Sequence, residues 1–132
     1  MEINITLNVE PNPKARAVTV AKKGRVWSFT PKKTKVAEDE LKLLIKQQIT
    51  QSFPAYTPVK MIVVFYRSKP KSSMDAMPVR KPDLDNYIKS ISDSLNTLAF
   101  PDDAQITTLV ASKRWTEKLL PYIRIKIVED IV

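Results

Sequence analysis

The stretch KPDLDNYIKSISDSLNTLAFPDDAQI, residues 81–106, combines an amphipathic helix with two pairs of aspartates. Its apolar residues recur every three or four positions, which predicts a helix from about Asp83 to Asn96 with one buried face. The residues of that predicted face are Leu84, Ile88, Ile91 and Leu95. One pair of aspartates opens the helix and the other follows it in a turn, so the segment predicts a packed helix beside concentrated negative charge.

The flanking segments predict strands. Alternating apolar residues over 3–9 predict a half-buried strand, whereas VKMIVVFYR, residues 59–67, is apolar on both faces and predicts a central strand. Near the end of the chain, ITTLVASKRW and YIRIKIV, residues 106–115 and 122–128, predict two more strands. The sheet is therefore expected to draw its strands from both halves of the chain.

Two further segments complete the predicted architecture. Residues 34–52 have the apolar spacing of a helix, and residues 14–30 are predicted either as two short strands turning at Lys23–Gly24 or as an ordered loop. The order of elements predicts an α+β fold, in which two main helices pack on a mixed or antiparallel sheet. We expect one domain that covers residues 1–132.

The composition excludes several classes of enzyme. The chain has 132 residues and contains no cysteine and no histidine, which excludes a thiolate zinc site, a cysteine nucleophile and a Ser-His-Asp triad. Gly24 is the single glycine, and the Gly-rich loops that hold cofactor phosphates need several. No organic cofactor is therefore expected, and the remaining chemistry is mostly that of carboxylates, amides, hydroxyls and cations.

The distribution of positive charge predicts a polyanionic partner. The formal net charge is +8, and no acidic residue lies between Pro11 and Ala37. The basic residues that we expect to contact a DNA backbone are Lys14, Arg16, Lys22, Lys23, Arg25, Lys32, Lys33, Arg80 and Lys81. The alternative interpretation is that these charges only keep the protein in solution and protect the edge of a hairpin from other strands.

The opening residues MEINITLNVE have neither the apolar core nor the early basic residues of a signal peptide. No later apolar run is long enough to cross a bilayer. We therefore expect a cytoplasmic protein without a membrane partner.

The aspartates have the chemistry of a divalent-cation site. Pro82 favours an extended start to the helix, so that Asp83 takes the N-cap position and its carboxylate can converge with that of Asp85. A tight return after the helix would bring Asp102 or Asp103 towards them. Three close carboxylates without a cation are unfavourable, and Mg²⁺ prefers oxygen ligands. The alternative interpretation is that both pairs are ordinary helix caps and turn residues.

The same segment closely resembles the core of the RusA-type Holliday junction resolvases. Their pattern is Asp-x-Asp-Asn, a lysine three residues later, an aspartate four residues after that, and a loop that ends in Asp-Asp-x-Gln and an aliphatic residue. The matching residues here are Asp83, Asp85, Asn86, Lys89, Asp93, Asp102, Asp103, Gln105 and Ile106. The total length and the order of predicted elements also agree with a RusA-like fold.

The resemblance implies a function as well as a fold. That family is described as homodimeric, Mg²⁺-dependent endonucleases that cut four-way DNA junctions symmetrically in DNA recombination and repair, often encoded by phages or prophages; Mn²⁺ can substitute for Mg²⁺. It makes Asp83, Asp85 and Asp103 the metal-binding and catalytic carboxylates, and Lys89 the catalytic cation near the scissile phosphate. The residues expected to support them are Asn86, Asp93 and Asp102.

Three points stay open in the sequence. The family often has glycine where Thr97 stands, and a threonine adopts a left-handed backbone only at a cost, so the end of the helix is expected to differ here. A non-catalytic protein that binds branched DNA, with its aspartates as helix caps, is the alternative function. Whether one or two ions would bind is also left open.

Overall fold

The computed structural model describes residues 1–12, 18–29 and 32–131, and for residues 18–22, 27–29 and 32–34 it describes the backbone alone. Its strands are β1 (Glu2–Leu7), β2 (Val18–Lys22), β3 (Arg25–Phe29), β4 (Val59–Arg67), β5 (Ile106–Trp115) and β6 (Tyr122–Glu129). Its helices are α1 (Lys32–Gln48), α2 (Leu84–Leu95) and a 3₁₀ helix, Asp103–Gln105.

Four of the strands form one mixed sheet, which confirms the predicted α+β fold. The strand order is β1-β6-β4-β5, with β4 and β5 parallel and the other neighbours antiparallel. The apolar sequence of β4 predicts a central position, and β4 indeed lies between β6 and β5. α2 belongs to the crossover that joins the parallel strands β4 and β5.

The core lies on one face of this sheet, between the strands and the two main helices. Along β4 the side chains alternate strictly, and Met61 and Val63 are fully buried whereas Ile62 and Val64 are partly exposed. β6 repeats this alternation, with Ile125 buried and Arg124 exposed. Both helices therefore cover the same face of the sheet.

The basic segment forms a hairpin, the first of the two predicted alternatives. β2 and β3 pair antiparallel through a two-residue turn at Lys23 and Gly24. Both turn residues have positive φ, 51° and 74°, as the tight turns of β-hairpins require. The single glycine of the chain thus stands where a residue without a Cβ is least strained.

The first main helix was predicted four residues too long at its C-terminus, because α1 ends at Gln48 and not at Ser52. The Gln48 side chain pairs with the backbone of Thr6 in β1, accepting from its N–H at 2.9 Å and donating to its carbonyl at 2.8 Å. This bidentate contact takes the side chain to the edge of the sheet, where α1 stops. Neither α1 nor α2 combines the length and the apolar character needed to span a membrane.

The predicted buried face of α2 was partly wrong. Ile91 and Leu95 are buried, but Leu84 and Ile88 lie only at the margin of the core, and Tyr87 takes the central place. The Tyr87 ring stacks on Phe65 of β4, with ring centroids 5.2 Å apart.

Three serines of α2 are also buried, Ser90, Ser92 and Ser94. The Ser94 hydroxyl donates to the Ser90 carbonyl at 2.8 Å. This bond satisfies the buried Ser94 hydroxyl, so its burial leaves no unpaired polar group.

The expectation for Thr97 was also wrong, because this threonine does adopt the left-handed conformation, with φ 68°. Three backbone hydrogen bonds hold the turn, from Thr97 to the Phe100 carbonyl at 2.8 Å and from Leu98 and Ala99 to the Leu95 carbonyl at 3.0 and 2.9 Å. Together they outweigh the steric cost of a β-branched residue at positive φ.

Replacing Thr97 by glycine should stabilise the protein. Glycine adopts positive φ without strain, so we expect Thr97→Gly to raise the free energy of unfolding by about 1 kcal/mol, and the Tm by roughly 3–5 °C. Thermal denaturation followed by circular dichroism measures this. Thr97→Ala is the control, because it keeps the Cβ and should gain less. A lower Tm for Thr97→Gly than for the parent would show that the turn is not strained.

Candidate functional site

The aspartates at the start of α2, Asp83 and Asp85, are both exposed. Asp83 occupies the N-cap position in extended conformation, with φ −70° and ψ 147°, as predicted. Its carboxylate makes no capping hydrogen bond, and the N–H groups of Asn86 and Tyr87 bond instead to its backbone carbonyl at 3.2 and 3.4 Å. Asp85 follows in the first turn. The cap interpretation therefore does not explain the Asp83 carboxylate.

Lys113 of β5 holds the segment that leads into Asp83. Its ammonium group donates to the carbonyls of Arg80 at 3.2 Å and Pro82 at 3.0 Å. The motif pattern in the sequence does not single out Lys113. The alternation of side chains along β5 could have identified it. Lys113 lies on the same face of the sheet as Leu109 and Ala111, next to buried residues of β4. A cation in that position needs a polar partner.

A basic cavity of about 390 Å³ lies beside this segment. Arg67, Arg80, Lys81 and the Trp115 ring contribute to its wall. Arg80 is bound by Asp75 at 2.9 Å, whereas the buried Nε of Arg67 has no hydrogen-bond partner among the described residues. Two of the predicted DNA-contacting cations thus lie within three residues of Asp83.

The second pair of aspartates lies beyond the other end of α2. Asp102 caps the 3₁₀ helix, because its carboxylate accepts from the Ala104 N–H at 3.0 Å, while the Asp102 N–H donates to the side-chain oxygen of Gln105 at 3.3 Å. The Gln105 amide also donates to the carbonyls of Pro54 and Thr57 at 2.8 and 3.0 Å. Asp102 therefore has the structural role that Asp83 lacks.

Asp103 is held against the C-terminus of α2. Its N–H donates to the side-chain carbonyl of Asn96 at 3.1 Å. Partial burial raises the pKa of the Asp103 carboxyl, and Asp102 and Asp93 raise it further through a hydrogen bond and through repulsion. This carboxylate is the one in the motif whose negative charge the fold disfavours.

The predicted convergence of three carboxylates does not occur within one chain. α2 has 12 residues, so its ends lie about 18 Å apart at roughly 1.5 Å per residue. Asp83 is at one end and Asp103 contacts the residue that follows the other. Across residues 1–12, 18–29 and 32–131, no group of three acidic, histidine or cysteine side chains is placed to hold a metal ion.

The other predicted residues divide between the two ends of α2. Asn86 lies in the first turn and Lys89 is exposed one turn beyond Asp85, whereas Asp93 lies near Asp103.

Among the predicted DNA-contacting residues, Lys23 and Arg25 are exposed at the hairpin turn and Lys81 is exposed before α2. Lys14 and Arg16 lie outside the described residues, and Lys22, Lys32 and Lys33 are described by their backbone alone.

Comparison with known proteins places these residues in context. The sequence pattern of a protein family described as endodeoxyribonuclease RusA matches residues 8–128. An uncharacterized protein of Bacillus subtilis (strain 168), YqaN, is 31% identical over 128 residues, which cover 88% of this chain and 89% of that protein. Both aspartate pairs and α2 fall within the matched region.

The two neighbouring aspartates should respond oppositely to substitution. Because the fold raises the pKa of Asp103, the folded protein binds that proton more tightly than the unfolded chain does, and the charged carboxylate lowers stability above this pKa. Asp103→Asn should therefore raise the Tm at about pH 7, and the gain should vanish near pH 3, where the parent is protonated in both states.

Asp102→Ala is the matched comparison for Asp103→Asn. It removes a cap and should lower the free energy of unfolding by about 1 kcal/mol at neutral pH. Thermal scans of the parent and both variants across this pH range measure the two effects. Destabilisation by Asp103→Asn at neutral pH would contradict the assignment.

Proposed function

The chain belongs to the RusA endodeoxyribonuclease family, and from this membership we propose that it hydrolyses phosphodiester bonds in branched DNA. Its proposed substrate is the four-way junction, which it resolves by paired cuts in DNA recombination and repair. The match over residues 8–128 carries this proposal, because it includes both aspartate pairs and Lys89. We propose that residues 1–132 act as one endonuclease domain.

The start of α2 has the chemistry to receive the scissile phosphate. The first N–H groups of a helix favour an anion, and the cations of the neighbouring cavity, Arg67 and Lys81, add positive charge. Lys89 is one turn from Asp85, where its ammonium group can neutralise charge that develops on the phosphate oxygens. In the reaction a water oxygen attacks phosphorus, the bond from phosphorus to one deoxyribose oxygen breaks, and that oxygen takes up a proton.

The carboxylates are suited to Mg²⁺ in their chemistry but not in their arrangement within one chain. Hard oxygen ligands fit Mg²⁺ or Mn²⁺, and Mg²⁺ commonly takes one or two carboxylates together with phosphate oxygens and water. Asp83 and Asp85 could supply the carboxylates at the start of α2. A bound ion there would lower the pKa of water and offset phosphate charge. Asp103 cannot join them in the same chain, because α2 separates the two ends.

We propose that a homodimer completes the site. Two α2 helices related by a two-fold axis that lies across them run in opposite directions, so the start of one lies beside the end of the other. Asp103 of the partner subunit would then approach Asp83 and Asp85. Such a dimer has two equivalent sites, which is what symmetric cutting of a four-way junction needs, and a cation would relieve the unfavourable charge of Asp103.

The basic hairpin and the residues before α2 would hold the DNA backbone. Lys23 and Arg25 at the hairpin turn and Lys81 before the helix are exposed, and contacts of this kind bind phosphates without reading bases. Binding should therefore depend on salt and on the geometry of the DNA more than on its sequence.

Removing one carboxylate should separate cleavage from binding. Asp85→Asn should lower the Mg²⁺-dependent cleavage rate of a four-way junction more than about a hundredfold, since residues that only support metal ligands already cost roughly 10- to 100-fold. Affinity for the junction should stay equal or rise, because a charge that repels phosphate is lost. Gel assays of cleavage and binding measure both, with linear duplex of the same sequence as the comparison substrate.

Glu2→Gln in β1, the edge strand opposite β5, likewise replaces a carboxylate by an amide, outside the proposed site, and should cut at the parental rate. Cleavage by Asp85→Asn at the parental rate would exclude this active site. A parent protein that binds the junction but never cuts it would instead support a non-catalytic DNA-binding protein.

A shared site predicts complementation between two inactive variants. A mixed dimer of Asp85→Asn and Asp103→Asn has one site in which all three aspartates are native. After subunit exchange of equal amounts, half of the dimers are mixed, so the nicking rate should recover to about one quarter of the parental value, with few paired cuts.

The control mixes Asp83→Asn with Asp85→Asn. Both changes lie at the same end of α2, so a shared site stays incomplete in every dimer and no activity should return. If neither mixture recovers activity although subunits exchange, the three carboxylates act within one chain.

A further inference from the structure

The face of the sheet opposite the helices is partly exposed in the described chain. On β4 the inward residues are buried to 0% or 1% exposure, whereas the outward residues Ile62, Val64 and Tyr66 are all partly exposed. The paired positions on the neighbouring strands, Val110 of β5 and Arg124 of β6, are exposed. The structure therefore presents a four-stranded platform, here named the open face, which no described helix packs against.

Two tyrosines stand side by side on the central strands of the open face. Tyr66 of β4 and Tyr122 of β6 are direct cross-strand partners. Their rings stack with centroids 4.2 Å apart and an interplanar angle of 14°. The Lys118 ammonium lies 4.4 Å from the centroid of the Tyr122 ring. Tyr66 and Lys118 thus cover the two faces of the Tyr122 ring, and Tyr66 is the partly exposed outer ring of the stack.

Cations surround this aromatic pair. Arg114 of β5 is the neighbour of Tyr66 in the parallel ladder, and Arg124 lies two residues after Tyr122 on the same face of β6. Both guanidinium groups act electrostatically on the Tyr66 hydroxyl. Within the described chain neither arginine has a carboxylate partner, whereas Lys126, farther along β6, is bound by Glu2 at 3.1 Å. The positive charge near the tyrosines is therefore free to meet an anion.

We propose that the open face binds single-stranded nucleic acid, with Tyr66, supported by its stacking on Tyr122, contacting an unpaired base, and with Arg114, Arg124 and Lys118 contacting phosphates. Aromatic side chains on the central strands of a four-stranded sheet that is backed by two helices are a recurrent platform for unpaired bases. Stacking on aromatic rings accepts any base, and the neighbouring cations follow the backbone. The open face combines both elements.

The charge of the open face selects nucleic acid over a second copy of this chain. A symmetric dimer through this face would bring Arg114, Arg124 and Lys118 of both subunits together, and like charges brought together oppose association. A polyanion experiences the same cations as attraction. α2 packs on the opposite side of the sheet, so this surface is separate from both ends of the candidate active site.

The first test measures binding without cleavage. Fluorescence anisotropy of a labelled 12-residue oligothymidylate, titrated with full-length protein without divalent cation, gives the affinity across a salt series. Replacing both Arg114 and Arg124 by glutamine should weaken binding about tenfold or more at low salt. It should also reduce the slope of log K against log salt by about 1.4, which is two charges at about 0.7 each.

A charge-matched control lies on the helix side of the molecule. Lys42 and Lys46 of α1 are exposed, and replacing both by glutamine removes the same charge from the other side. This control should keep the parental slope to within about 0.3. A slope that falls equally in both double variants would mean that net charge alone determines binding, and it would overturn the proposal.

The aromatic contribution is tested separately. Tyr66→Leu with Tyr122→Leu should weaken oligothymidylate binding about fivefold or more, while the matching pair of phenylalanine substitutions should keep it within about twofold. Binding of a 12-base-pair duplex should not distinguish leucine from phenylalanine, because paired bases are not available for stacking. Circular dichroism establishes that each variant is folded, and amide NMR shifts at residues 64, 66, 122 and 124 report contact in the parent directly.

These measurements are independent of the proposed nuclease activity, since they need neither a junction nor a cleaved product. Unchanged oligothymidylate affinity in both the arginine and the leucine variants would overturn the proposal. A change from dimer to monomer in those variants by analytical ultracentrifugation, with unchanged affinity, would identify the open face as a subunit interface and would overturn it as well.

Discussion

The length of α2 is the constraint that organises the candidate site. Its 12 residues keep the two aspartate pairs about 18 Å apart, and the buried side chains of Tyr87, Ile91 and Leu95 fix the helix on the sheet. Burial of each such side chain contributes about 1.5–3 kcal/mol. Bringing both pairs together within one chain would disrupt that packing and would consume much of the 5–15 kcal/mol that is the usual stability of a domain. Pairing two helices in opposite directions achieves the same approach without unpacking either core.

Hydrogen bonding separates the structural aspartates from those available for chemistry. Asp102 caps a 3₁₀ helix, so turn formation explains its carboxylate. Asp83 stands at the equivalent place on α2, but its carboxylate caps nothing in the described chain, and the fold already accepts the cost of an uncapped first turn. Asp103 is partly buried and lies near the carboxylates of Asp102 and Asp93, and burial and then these neighbours raise its pKa. Asp83 and Asp103 are therefore the carboxylates that the proposed cation site would use.

The sequence predicted the order of elements and their local chemistry better than their mutual placement. Alternation in β4 and β6 and the helical spacing around Ile91 are local signals, and the structure confirms those elements. The central role of Tyr87 depends on its stacking with Phe65, and the left-handed Thr97 depends on bonds to Phe100, so neither follows from spacing or propensity. A tight return after α2 predicts that Asp103 approaches the start of the helix, but the chain returns beside its end, where Asp103 contacts Asn96.

The same alternation that builds the core also determines what the opposite face can do. In β4 and β6 every inward residue is needed for packing, so only the outward residues are free to vary in chemistry. They could have been uniformly polar, as on many solvated sheets. Instead they include Ile62, Val64 and a stacked tyrosine pair next to two arginines that have no carboxylate partner among the described residues. Partly exposed apolar and aromatic side chains at the centre of a sheet are costly in water, and the nearby cations disfavour a second basic protein as their cover. A ligand that is both anionic and aromatic satisfies both conditions, and an unpaired nucleic-acid strand is such a ligand.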